Sequence, residues 1–181
     1  NYGVILRSKG YLKEAELLQR KAIKLKPDYA KGHANLGNIL KSLGKLKEAE
    51  LSQRKAIKID PNYAIAHYNL GTILIDLGNL QEAEISTRKA IELNPDLANA
   101  HYNLGIILND LGNLTEAENS YRKAIELNPH HYDACFNISW LQLLRGEYQS
   151  GLENYEFRFK KKIPAMLHGK TRIKRFNNEK L

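Results

Sequence analysis

Proline recurs at Pro27, Pro61, Pro95 and Pro129, each 34 residues after the one before. Gly10, Gly44, Gly78, Gly112 and Gly146 keep the same step, as do Ala15, Ala49, Ala83 and Ala117, and again Ala22, Ala56, Ala90 and Ala124. Leu36, Leu70 and Leu104 precede Gly37, Gly71 and Gly105 in that register. So many interleaved series point to a tandem array of one short supersecondary unit. A single unit cannot bury both of its apolar faces, so the units must stack on one another.

Each unit reads as two helices. Between Ala30 and Tyr63, His33, Leu36, Leu40 and Leu43 follow a helical period, with Ile39 widening the stripe. Gly44 ends that helix, because glycine takes the left-handed conformation without a Cβ clash. A second helix is predicted from about Leu46 to Ile59, with Leu46, Ala49, Gln53, Ala56 and Ile57 facing inward. Asp60-Pro61 closes it, since proline cannot continue the helical ladder. Gly37, Ala49 and Ala56 leave little side chain between neighbouring helices, so the backbones approach closely.

The 34-residue length, the Leu-Gly pair, the two second-helix alanines and the closing proline resemble the tetratricopeptide repeat. The resemblance implies an all-α fold, an alpha-alpha superhelix in which antiparallel helix pairs form a right-handed solenoid and first helices line its concave side. It covers residues 1–159, as a truncated unit 1–29, units 30–63, 64–97 and 98–131, and a divergent capping unit 132–159. Residues 160–181 then form a basic tail. Two positions depart from the family pattern. His33, His67 and His101 stand where a large aromatic or aliphatic residue is usual, and Gln19, Gln53 and Thr87 where an aromatic is usual; Tyr121 alone conforms. Looser packing is expected at both.

The formal net charge of +8 raises the question of nucleic acid. Its distribution argues against it: residues 1–63 carry net +8, residues 64–155 net −7 and residues 156–181 net +7. These are alternating blocks, whereas a nucleic-acid groove needs a continuous cationic stripe. No apolar run is long enough to span a bilayer, and a signal peptide is not expected, because Asn1 to Leu6 has no basic region and no apolar stretch of that kind. The start without methionine predicts a piece of a longer protein. With Cys135 the only cysteine, a reduced, cytoplasmic location is expected.

Asn1, Asn35, Asn69, Asn103 and Asn137 place one asparagine per unit at a single position inside the first helix. Asparagine is a mediocre helix former, so five such placements require a reason. A carboxamide both donates and accepts, which suits the backbone of an extended peptide. The series is similar to the asparagine ladder of the O-linked N-acetylglucosamine transferases, and that resemblance implies peptide-backbone contacts by Asn35, Asn69, Asn103 and Asn137. The alternative is that these amides satisfy neighbouring helices. Lys31, Asn38 and Ser42 share the face in the second unit. Tyr68 and Tyr102 offer rigid contact area there, or else cover neighbouring helices; Asp76 and Asp110 offer directed polar contacts, or else form a solvated surface. A carboxylate clamp is not expected, because Asn99 and Asn103 stand where it would need cations.

No metal and no cofactor is expected. His33, His67 and His101 lie about 10 Å apart on stacked units, whereas zinc ligands sit about 2 Å from one ion. No catalytic triad, phosphate loop or cysteine pair has suitable context. In the last unit, Ile138, Leu141 and Leu144 are expected to share one helical face, and Tyr155, Phe157 and Phe159 to cover the end of the stack. The stretch GEYQSGLENYEFRF resembles the junction before a glycosyltransferase-type domain in bacterial repeat proteins. Three uses therefore stand: a non-catalytic scaffold binding protein or peptide in its concave groove, the substrate-recognition region of a larger glycosyltransferase, and self-association through an exposed repeat end.

Overall fold

The computed structural model describes residues 11–155. These form nine helices: α1 (Leu12–Leu25), α2 (Ala30–Ser42), α3 (Leu46–Ile59), α4 (Ala64–Asp76), α5 (Leu80–Leu93), α6 (Ala98–Asp110), α7 (Leu114–Leu127), α8 (Tyr132–Leu144) and α9 (Tyr148–Tyr155). No strand occurs among the described residues. Asn1, Phe157, Phe159 and the basic tail lie outside them.

The first helix of each pair stops the same way. Gly44, Gly78, Gly112 and Gly146 take φ of 75°, 76°, 83° and 80°. At the first of these turns the Lys45 N–H donates back to the Leu40 carbonyl at 2.9 Å and the Gly44 N–H to the Lys41 carbonyl at 2.9 Å. Two of the helix's orphan carbonyls are satisfied, and the chain reverses within three residues. The same pair of bonds recurs after α4, α6 and α8. Second helices end before proline, and Asp60, Asn94 and Asn128 each accept from the backbone N–H two residues on.

Helices pack as hairpins α2–α3, α4–α5, α6–α7 and α8–α9, and each second helix also packs on the next first helix. Successive first helices α2, α4 and α6 touch one another, while successive second helices make no comparable contact. First helices thus form the tighter, inner wall and second helices the outer one. The core is assembled unit by unit from fully buried alanines (Ala49, Ala56, Ala83, Ala90, Ala117, Ala124) and the pairs Ile39/Leu40, Ile73/Leu74 and Ile107/Leu108. Each of these large aliphatics contributes ~1.5–3 kcal/mol by leaving water.

The packing around the departures from the family pattern is tight, against expectation. Gln53 is fully buried, and its Nε2 donates to the Ala34 carbonyl at 2.9 Å and to Asn38 Oδ1 at 3.2 Å. Thr87 is also fully buried. The reason is the facing glycine: a Cβ on Gly37 would lie 2.5 Å from Gln53 Nε2, and Gly71 and Gly105 leave the same space for Thr87 and Tyr121. Glutamine fills the aromatic slot by bonding the backbone it presses on. The histidines are pinned as well. His33, His67 and His101 Nε2 sit 2.9, 2.9 and 2.8 Å from the carbonyls of Pro27, Pro61 and Pro95, tying each first helix to the preceding turn.

In the last unit Ile138 and Leu141 are buried, but Leu144 is 61% exposed, so the expected three-residue face is only two residues wide. Leu144 lies in the final turn of α8. Tyr155 packs on Phe136 with ring centroids 5.6 Å apart, within the unit.

Candidate functional site

The inner wall carries the asparagine series, and the structure divides it in two. Asn35 and Asn69 have Nδ2 atoms that are buried and have no hydrogen-bond partner, and Asn69 is only 9% exposed. Asn103 Nδ2 donates to Thr72 Oγ1 at 3.1 Å, across from α6 to α4, and that hydroxyl donates on to the Tyr68 carbonyl at 3.0 Å. Asn137 is hydrogen-bonded to the hydroxyls of Tyr102 and Tyr121. The amides sit deeper than a row facing open solvent would. A helical residue one position before the core leucine lies on the edge of the inter-helix seam, where the preceding unit supplies its neighbours: Thr72 for Asn103, and Tyr102 and Tyr121 for Asn137.

The neighbouring positions also differ in their engagements. Lys31 is exposed. Asn38 is held from behind by Gln53. Asp76 pairs with Lys41 of the preceding first helix at 3.2 Å, with both side chains about a third or more exposed. Asp110 Oδ1 accepts from Asn109 Nδ2 at 3.4 Å. Tyr68 is half-buried and lines a shallow cavity of ≈ 290 Å³ with Ile65, Asp96, Asn99 and Asn128. Tyr102 is packed between rings, 4.5 Å from His131 and 5.9 Å from Tyr121.

Burial raises the Tyr102 and Tyr121 hydroxyls above the ordinary phenol range, the bond from Asn137 working against it in both. Both phenols stay neutral at physiological pH. Burial also lowers His131 below the usual imidazole range, so the ring beside Tyr102 is neutral. This end of the inner wall is a network of neutral rings and an amide with the Asp133 carboxylate beside it, whereas Asn35 and Asn69 present donors with nothing to donate to.

The outer wall holds an ordered ion-pair series that the sequence reading did not single out. Arg20 binds Glu16 on its own helix and Glu48 on the next second helix, at 2.9 and 2.6 Å. Arg54 repeats this with Glu50 and Glu82 at 3.0 and 2.5 Å, and Arg88 with Glu84 and Glu116 at 2.8 and 2.5 Å. The last member is Glu118, which Arg122 and Arg145 both engage. The signal was present in the sequence: each arginine precedes a glutamate by 28 residues, in the same 34-residue register. Among the described residues no group of three or more His, Cys, Asp or Glu side chains is placed to hold a metal ion. No helix among them is long and apolar enough to cross a membrane.

Models of the tetratricopeptide repeat match residues 64–97 and 98–131, residues 1–29 and, under the description TPR repeat, residues 37–78. The chain belongs to the tetratricopeptide repeat family. Solved structures of TPR proteins superpose on it over most of its length. MamA is 25% identical over 88% of this chain and 94% of that one, with a TM-score of 0.78. YrrB, described as a TPR protein with an unusual peptide-binding site, is 27% identical over 87% of this chain and 81% of its own, with a TM-score of 0.70. PilF of Pseudomonas aeruginosa, at 23% identity, 86% and 71% coverage and a TM-score of 0.81, shares the fold. None of the curated proteins matches. The matching models describe repeats, not catalytic domains, and the TPR architecture is that of a protein-interaction domain.

Proposed function

We propose that this TPR domain binds an extended segment of a partner protein along its inner wall, between α2 and α8, without catalysing a reaction. The observation that carries the reading is the pair of buried, unpartnered Nδ2 donors on Asn35 and Asn69. A buried amide left without a partner costs about 1–3 kcal/mol, and a peptide carbonyl laid across α2 and α4 would relieve it once the side chains turn out of the seam. Asn103 and Asn137 can join the row by exchanging their bonds to Thr72 and to the two tyrosines. Lys31, Asn38, Asp76 and Asp110 flank that path, and Tyr68 with its shallow cavity is suited to one side chain of the peptide. The peptide-binding description of YrrB supports the same reading.

The test is a displayed library of extended peptides screened against the wild-type domain and against Asn35→Ala/Asn69→Ala. Two lost backbone bonds at about 1 kcal/mol each predict roughly tenfold or greater weakening, with helical content unchanged by circular dichroism. Equal capture by both proteins would reject the inner wall as the binding face.

A further inference from the structure

The outer wall has an apolar row that neither the core nor the inner wall explains. Leu17, Leu51 and Ile85 occupy one register position on α1, α3 and α5 and are 57%, 68% and 70% exposed. Two cavities open next to this row, one between α1 and the α2–α3 turn and one between α1, α2 and α3. One, of ≈ 440 Å³, is lined by Lys13, Leu17, Leu43 and Lys45, with Glu16. The other, of ≈ 380 Å³, is lined by Ile23, Lys24, Leu36, Leu51 and Lys55. Arg20 lines both, and its bond to Glu48 straps the seam between them.

The seam's charge is one-sided. Its two acids are already held, Glu16 by Lys45 and Arg20 at 2.9 Å each and Glu48 by Arg20 at 2.6 Å. Lys13, Lys24 and Lys55 have no ion pair among the described residues. Apolar hollows ringed by unneutralised cations suit a ligand bearing both aliphatic side chains and carboxylates; a nucleic acid supplies the charge but not the aliphatic groups. Spacing narrows the choice further. Leu17 and Lys24, one beside each cavity, are seven residues apart on α1, about 10 Å at 1.5 Å per residue. A partner helix lying along the seam presents side chains at that interval from positions i and i+7.

We propose that the α1–α3 seam docks an acidic amphipathic helix of a partner protein, with two aliphatic residues seven apart in the cavities and carboxylates facing Lys13, Lys24 and Lys55. The later α5–α7 seam serves as an internal comparison. It places Gln81, Glu92, Asn113 and Asn119 where the first seam has Lys13, Lys24, Lys45 and Leu51. Ile85 and Lys123 keep the places of Leu17 and Lys55, but Lys123 is paired with Glu126 and the Leu51 anchor and three cations are gone, so docking is confined to the amino-terminal units.

The test uses a fluorescently labelled glutamate-rich helical peptide with leucines at i and i+7, titrated by anisotropy. Saturable binding is expected, about tenfold weaker for Lys24→Glu/Leu51→Asn, which installs the later seam's own residues at exposed positions. Ile85→Asn and Asn35→Ala/Asn69→Ala should change it less than twofold. Absence of saturable binding, an equal loss with Ile85→Asn, or persistence in the Lys24→Glu/Leu51→Asn protein would overturn the proposal. A loss in the asparagine variant would place the peptide on the inner wall and overturn it too. So would a single-stranded RNA that binds more tightly and responds to Lys24→Glu but not to Leu51→Asn.

Discussion

Glu118 shows how one residue can close a series. Its side chain is 8% exposed between Arg122 and Arg145. Burial alone would raise its carboxyl, but hydrogen bonds from the two arginines and their charges outweigh burial and hold it below the ordinary range. A depressed carboxylate contributes stability that is complete above its unfolded value, ~4.3, and is lost as pH falls through the lower folded value. Thermal midpoints measured from pH 7 down to pH 3 should therefore fall, and fall less steeply in Glu118→Gln. Because both arginines are partly exposed, that variant should lose only about 1 kcal/mol at pH 7. Gly37 is a second single-residue lever. Its missing Cβ is the space that Gln53 fills, so Gly37→Ala should destabilise by about 1–3 kcal/mol in urea titrations, as overpacking does. Gln53→Ala in the same chain should return part of the loss, since the clash disappears with the side chain.

At the scale of the element, the turn glycine and the ion-pair strap have different weights. Gly44 has φ 75° with nothing near its missing Cβ, so alanine there meets no obstacle except backbone strain. Gly44→Ala should cost about 1 kcal/mol, read as a lower urea midpoint at constant slope. The strap between successive second helices is exposed at both ends: Arg54 is 40% and Glu82 44% exposed as side chains. Arg54→Ala should shift stability by no more than about 1 kcal/mol, and less in high salt. If it matched the effect of Gly37→Ala, the hairpins would be held together by charge and not by their alanine and leucine seams.

At the scale of the whole molecule, equivalent positions recur every 34 residues, and among the described residues each unit packs on its neighbours in the chain. Removing residues 64–97 as a block therefore leaves every seam with a compatible partner: Arg54 would meet Glu116 in place of Glu82. Such a protein should keep its helical content per residue, with a smaller urea slope in proportion to the surface removed. Removing half a unit instead would set unlike helices against each other and should abolish cooperative unfolding.

The sequence by itself determined the helices, their ends and the order of stacking, because these rest on local rules. A glycine free to take positive φ, a proline that cannot continue a helix and an apolar stripe of helical period each act within one turn of chain. Leu46–Ile59 could be bounded from such signals alone. Only the tertiary structure decided how the inner face is used, because neighbours on other helices complete each position. Identical asparagines at 34-residue intervals end in three situations: Asn35 and Asn69 unpartnered, Asn103 on Thr72, and Asn137 between two tyrosines. Their surroundings vary while their own position does not. Gln53 likewise became a core residue because Gly37 faces it across the hairpin, a pairing that only packing creates.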